Sequence, residues 1–268
     1  LIERCSVFAG GFDLAGAVAV AAPQHADEFE VLDLLSALVH KSLLVATHAA
    51  GRTRYSMLET IRQFAEDRLV DSGLAAEVRR AYVAYFAGRE AELERIWNGA
   101  RQRDAYDWFS VELANLRAAF GCAVDASELD DAAVIATEAG FLGYATDNLE
   151  PLAWAEELIP VAAARAHTRL AALQALAGQC WMQWRTEDAV RFSDSAARTL
   201  SSTQQPNLPF GIQGLPGAAH MASGEPHRAE QWYRSCLELR SGEMLLDKVG
   251  LVLALVATGN PDLARELG

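Results

Sequence analysis

An alanine recurs four times behind a short turn, and that recurrence limits the fold more than any other feature of the chain. The segments are Asn148-Leu149-Glu150-Pro151-Leu152-Ala153, Trp184-Arg185-Thr186-Glu187-Asp188-Ala189, Gly224-Glu225-Pro226-His227-Arg228-Ala229 and Gly259-Asn260-Pro261-Asp262-Leu263-Ala264, with alanines 36, 40 and 35 residues apart. Two-helix repeats run at about 34 residues, so the spacing fits stacked helical pairs with short insertions. In each unit a small residue would end the first helix and Pro or an acid would open the second. The alanine would let the two helices approach closely. Gln204 to Gly217 is rich in Pro and Gly and reads as a loop that accounts for the longest interval. Glu77 to Trp97 and Asp104 to Val124 read as two long amphipathic runs, anchored by Tyr82, Tyr85, Phe86, Trp108, Phe109 and Phe120. An α-helical solenoid follows.

The first seventy residues obey a different period. Glu28 to Leu38 places Phe29, Leu32, Leu35 and Leu38 at helical spacing, with Asp27 as the N-cap. Ser42 to Thr47 reads as a strand and Arg54 to Met57 as its partner, with a Gly51-containing turn between them. Leu58 to Leu69 returns to helical period, with Leu58, Ile61, Phe64, Ala65 and Leu69 on one face and Gly73 placed for a C-cap. Helices followed by a hairpin and another helix make a winged-helix pattern. The expected fold is therefore mainly α: a small winged-helix domain over 1–73, a linking helical pair over 74–127, and helical repeats over 128–268, truncated at the C-terminus. Because Leu1 opens directly into an apolar pattern and the chain stops within a helical one, it is read as a segment of something longer.

Composition narrows the function by exclusion. The 268 residues carry a formal net charge of −13 with 51% hydrophobic side chains, a globular balance that disfavours broad binding to nucleic acid or anionic membranes. Residues 1–80 hold 8 basic and 11 acidic side chains, and the helix after the hairpin sets Arg62 and Arg68 against Glu59, Glu66 and Asp67. Direct DNA contact by this wing lacks its basic cluster. No apolar run approaches the ~20 residues of a membrane helix, and no signal peptide is legible. Cys5, Cys122, Cys180 and Cys236 are far apart and read as reduced, buried thiols of a cytoplasmic protein. There is no G-x-x-x-x-G-K-[ST], no H-E-x-x-H and no G-x-S-x-G, so neither a catalytic residue nor a metal site is expected. Gly10-Gly11 reads as a turn between helices, and His220 and His227 as solvated or capping residues.

Three ordered strings add a resemblance. Ser6-Val7-Phe8-Ala9-Gly10-Gly11-Phe12, Leu38-Val39-His40-Lys41-Ser42-Leu43-Leu44 and Tyr55-Ser56-Met57-Leu58-Glu59-Thr60-Ile61-Arg62-Gln63-Phe64-Ala65 resemble the winged-helix segment of actinobacterial STAND (signal-transduction NTPase) regulators of LuxR type. Glu112-Leu113-Ala114-Asn115-Leu116-Arg117-Ala118-Ala119 resembles the E-x-x-N-L-R-A-A helix that leads into tetratricopeptide-like repeats in such proteins. The resemblance implies an NTPase module upstream, holding ATP or ADP, against which the winged helix packs. It also implies an inducer or partner protein on the repeats, and DNA contact only through a helix-turn-helix domain outside this chain. The signature positions expected at the NTPase contact are His40, Lys41, Ser42, Met57, Leu58, Glu59 and Arg62. Met57-Leu58-Glu59 stands where related NTPases carry Met-His-Asp, and Leu58 has no donor for a phosphate. His40 likewise replaces the family's usual acid.

On this reading the chain is a non-catalytic sensor, and the concave face of the repeats would offer Trp181, Trp184, Trp232 and Tyr233 to a ligand. Packing between repeats is the competing role for each of these aromatics. The alternative reading of the whole chain is a free-standing repeat scaffold with no nucleotide partner.

Overall fold

The computed structural model describes residues 1–22, 27–49, 52–203, 208–238 and 245–267. They form two compact units, one of Leu1–Leu93 with Tyr106–Ile135 and one of Glu94–Ala105 with Ala136–Gly268.

The first unit begins with α1 (Ile2–Cys5) and α2 (Leu14–Gly16), the latter continuing as a π turn over Ala17–Ala21. Next come α3 (Glu28–His40), the strands β1 (Val45–Ala49) and β2 (Arg52–Ser56), and the helices α4 (Glu59–Asp71) and α5 (Ala75–Ala87). Asp27 caps α3 reciprocally with Glu30: each side chain accepts from the other's backbone N–H, at 2.8 and 3.2 Å. Ser42, at φ 56°, ends that helix, so the strand starts at Val45, three residues later than the sequence suggests. β1 and β2 pair antiparallel from Val45↔Ser56 to Ala49↔Arg52; the Ala50-Gly51 turn lies outside the described residues. Phe12 adds a bridge to Tyr55, with N–H to carbonyl distances of 2.9 and 2.7 Å in the two directions, so the Gly10-Gly11 segment becomes a third layer of the wing. Gly11 takes φ +75° there, and a Cβ would stand 2.7 Å from the Tyr55 carbonyl oxygen.

Two expected faces are corrected. Val31 and Leu35 are the buried side chains of α3, while Phe29 is 77% exposed and Leu32 is exposed as well. On α4, Ala65 and Leu69 are buried, whereas Leu58 and Phe64 point outward. The run from Glu77 to Trp97 is also two helices, because α5 ends at Ala87 and α6 (Glu90–Trp97) starts after Gly88 and Arg89. By contrast α7 (Gln102–Asp125) is one helix, and it buries Phe109, Leu116 and Phe120.

The second unit stacks helices in sequence order. α8 (Leu129–Ala145) and α9 (Glu150–Ala164) are followed by α10 (Leu170–Ala177), which tightens into a 3-10 turn over Gly178–Gln183. Then come α11 (Thr186–Thr203), α12 (Leu215–Ala222), α13 (Pro226–Glu238), α14 (Leu245–Ala257) and α15 (Pro261–Leu267). Every residue from Ala171 to Ala177 is buried, as expected of a helix covered on all sides. Asp147, Trp184, Gly224 and Gly259 each take a left-handed conformation (φ 59°, 64°, 80° and 84°) at the turn between paired helices. The two backbone N–H groups around each reach back to the preceding helix, as in Arg185 N to Cys180 O and Glu225 N to His220 O. Ala189, Ala229 and Ala264 are buried, as close approach demands, but Ala153 is exposed and Pro151 and Ala155 take the buried face of α9. The expected loop over Gln204 to Gly217 is corrected too: Pro209–Gly214 is a 3-10 turn and Gly217 lies within α12. Residues 204–207 of it lie outside the described residues. Phe210 there stacks on Phe141 at 5.0 Å, and Phe141 meets Trp97 edge-on at 4.9 Å, an aromatic pack that hydrophobic contact stabilises better than a solvated loop.

Candidate functional site

The first unit is organised around Asn115 of α7, which is fully buried. Its Nδ2 donates to the Gly11 carbonyl at 2.8 Å and to Glu112 Oε2 at 2.6 Å, while its Oδ1 accepts from Gly10 N at 3.0 Å and from the Tyr82 hydroxyl at 3.1 Å. Arg54 of β2 completes the network, donating to Glu112 and to the carbonyls of Gly10 and Gly11. The E-x-x-N string thus has a physical meaning: Glu112 and Asn115, one helical turn apart, clamp the Gly-Gly segment and the wing onto α7. Burial, with smaller help from Cys122 and then Glu112, pushes the Tyr82 hydroxyl well above its ordinary range and keeps it a donor.

The signature positions fall at the end of α3 and from the end of β2 into α4. His40 and Lys41 close α3 in solvent, and His40 Nδ1 lies 2.7 Å from the Ser36 carbonyl. Ser42 is the exposed left-handed residue, Met57 is half-buried, and Leu58 is 61% exposed. Glu59 and Arg62 pair through two hydrogen bonds of 2.8 and 2.9 Å, and Arg62 also reaches Glu66 at 3.1 Å. The Arg62 hydrogen bond, followed by that of Gln63, holds the Glu59 carboxyl below its usual range. These seven residues do not converge on one point; Glu59 and Arg62 alone are joined.

Two further features of this unit were missed in the sequence. The helix that precedes the wing, α3, exposes Glu28, Phe29, Glu30, Leu32, Asp33 and Leu34 and contains neither Lys nor Arg. A groove of about 440 Å³ is lined by Asp13, Leu14, Ala15, Leu32, Arg52, Thr53, Tyr55, Arg89 and Trp108. Its residues come from five separate stretches of sequence, so no local motif announces it.

In the second unit the four aromatics have different fates. Tyr233 is a correction: it is buried, its ring set between Gly217 and Gly250, where an added Cβ would come within 2.5 and 2.3 Å. Trp181 is half-buried beside Phe192 and Cys180 and donates to Gln179 Oε1 at 3.0 Å; Trp232 donates to the Gln213 carbonyl at 2.8 Å. Only Trp184 stands free of packing, 92% exposed. Arg185 beside it grips Glu156 with two bonds of 2.8 and 2.9 Å and Asp188 with two more, which fixes the turn. His220, buried, sits 3.2 Å from Glu225 and 3.6 Å from Asp194, and Arg228 binds both carboxylates. All four cysteines are free, with Cys122 half-buried and the others buried; burial pushes the Cys5 thiol up to about 12. Among the described residues no His/Cys/Asp/Glu group could hold a metal ion, and no helix is long and apolar enough to cross a membrane.

Residues 1–70 match the winged helix-turn-helix domain family. Over 160 residues the chain is 38% identical to proteins of Mycobacterium tuberculosis and Mycobacterium bovis provisionally named HTH-type transcriptional regulators, covering 59% of this chain and 18% of theirs. It is also 41% identical over 83 residues to an uncharacterized protein of M. tuberculosis, covering 31% of this chain and 21% of that one. The chain therefore spans about a fifth of the length of the curated relatives it matches. No solved structure matches it significantly. A winged helix-turn-helix followed by helical repeats, related to part of transcriptional regulators, is what fold and comparisons define together.

Proposed function

We propose that the chain is the non-catalytic winged-helix and repeat portion of a cytoplasmic, LuxR-type transcriptional regulator of the signal-transduction NTPase class. The winged helix, 1–73, packs on an NTPase module that binds ATP or ADP. The helical pair 74–127 carries the clamp, and the repeats, 128–268, bind an inducer or partner protein. The single observation that supports this reading is the outer face of α3. In DNA-reading winged helices the equivalent helix enters the major groove and needs cations for phosphates. Here it presents Phe29 and Leu32 beside Glu28, Glu30 and Asp33, a face suited to protein. An inducer that binds the open state more tightly would shift the population away from the packed one.

The experiment is release of mant-labelled ADP from the NTPase module, alone and mixed with this chain. The chain by itself should bind no nucleotide, should slow release in the mixture, and should lose that effect with Phe29→Asp. An unchanged release rate would favour the free-standing scaffold. The family match favours a second reading, in which this winged helix itself touches DNA; the charge of α3 opposes it.

A further inference from the structure

The groove in the first unit has the composition of a ligand site, and among its lining it shares Leu32 with the proposed docking face of α3. We infer that it binds a small planar aromatic carboxylate. Its volume of about 440 Å³ lies in the range of small-molecule sites, and its lining mixes polar and apolar side chains. Leu14, Ala15 and Leu32 supply the apolar part and half-buried Trp108 a flat wall for a ring.

Two side chains among the lining residues, Arg52 and Tyr55, have donor capacity unspent. Arg52, exposed at the start of β2, enters no ion pair among the described residues. Arg89 is not one of them: its Nη1 pairs with Glu92 Oε2 at 3.0 Å, and its Nε is buried out of a ligand's reach. Tyr55 is only 6% exposed, its ring is stacked 5.9 Å from Phe12, and its hydroxyl has no hydrogen bond among the described residues. The hydroxyl oxygen itself is accessible, so it stands open to whatever fills the groove.

The charge of the lining decides the ligand's sign. Asp13, its one carboxylate, is already committed to capping α2, accepting from Gly16 N at 2.8 Å. Arg89 is already paired with Glu92, so Arg52 is the guanidinium of the lining left to meet a ligand's charge. Guanidinium forks match carboxylates in geometry, and an indole face takes an aromatic ring at little entropic cost.

The test is calorimetric titration of the 268-residue chain with 2-naphthoate, its uncharged amide 2-naphthamide, and acetate. Naphthoate should bind, acetate should not, and the amide should bind about tenfold more weakly, the scale of one charge-assisted hydrogen bond. Arg52→Gln should weaken naphthoate by a similar factor and Trp108→Phe by several-fold, both with wild-type melting curves, since Arg52 lies outside the core and Phe keeps a ring. Arg52→Lys retains charge without the fork and should fall between. Absence of naphthoate binding, equal affinity for the amide, or equal affinity in both Arg52→Gln and Trp108→Phe overturns the assignment.

Discussion

Trp184 holds a left-handed backbone at φ 64°, where the parallel turns of the later repeats use Gly224 and Gly259. A Cβ is strained in that region, and with 92% of the residue exposed the indole gains no packing in return. Trp184→Gly should therefore raise stability by about 1 kcal/mol, read as an upward shift in the denaturant midpoint at constant slope. Asn115 is the opposite case. Asn115→Leu keeps a similar volume but strands Gly10 N and takes a donor from Glu112 Oε2, while the Gly11 carbonyl keeps Arg54 and the Tyr82 hydroxyl keeps the backbone carbonyl of residue 115, at 3.0 Å. Each orphaned buried group costs a desolvation penalty, so the loss should reach about 3 kcal/mol or more in urea unfolding. A smaller loss would mean that Arg54 and Glu112 hold the wing without it.

At the scale of the element, local chemistry was legible and facing was not. Asp27 and Glu30 sit three apart ahead of an apolar run, and a capping box follows from that alone. Which stripe of α3 turns inward does not follow: Phe29/Leu32 and Val31/Leu35 both satisfy helical spacing, and packing against the rest of the first unit selects the second. The break at Gly88 and the residues of the groove were hidden for the same reason, since they depend on contacts distant in sequence. His220 shows the effect on a titrating group. From sequence it reads as solvated or capping; the fold instead buries it on α12 between Asp194 of α11 and Glu225, with Arg228 of α13 beside both. Burial first, then Arg228, lowers its pKa below 6.5 despite the two carboxylates. The unfolded chain then binds the proton more readily, so the contribution of this cluster is complete above pH 6.5 and declines as the pH falls below it. Melting temperatures between pH 8 and pH 5 should show that decline in the wild type and a shallower one in His220→Gln. Parallel curves would place the acid sensitivity elsewhere.

For the whole molecule the deciding quantity is the distribution of charge. Residues 1–80 carry 8 basic against 11 acidic side chains, and the remainder 15 against 25, so neither portion carries a net charge that attracts a phosphate backbone. Most of the arginines of the first unit are already spent: Arg4 on Glu77, Arg54 on Glu112, Arg62 on Glu59 and Glu66, and Arg79 on Glu66. Releasing them for DNA would cost the ion pairs that tie α1 to α5, β2 to α7 and α4 to α5. Fluorescence anisotropy with a labelled duplex at low salt, where nonspecific attraction is strongest, should therefore stay flat as this chain is added. Binding that weakens steeply with added salt would instead mean that the winged helix reads DNA through cations gathered from these pairs. The acid-lined outer face of α3 could not then be the surface that docks, and the repeats would be left as the part of the chain that meets protein.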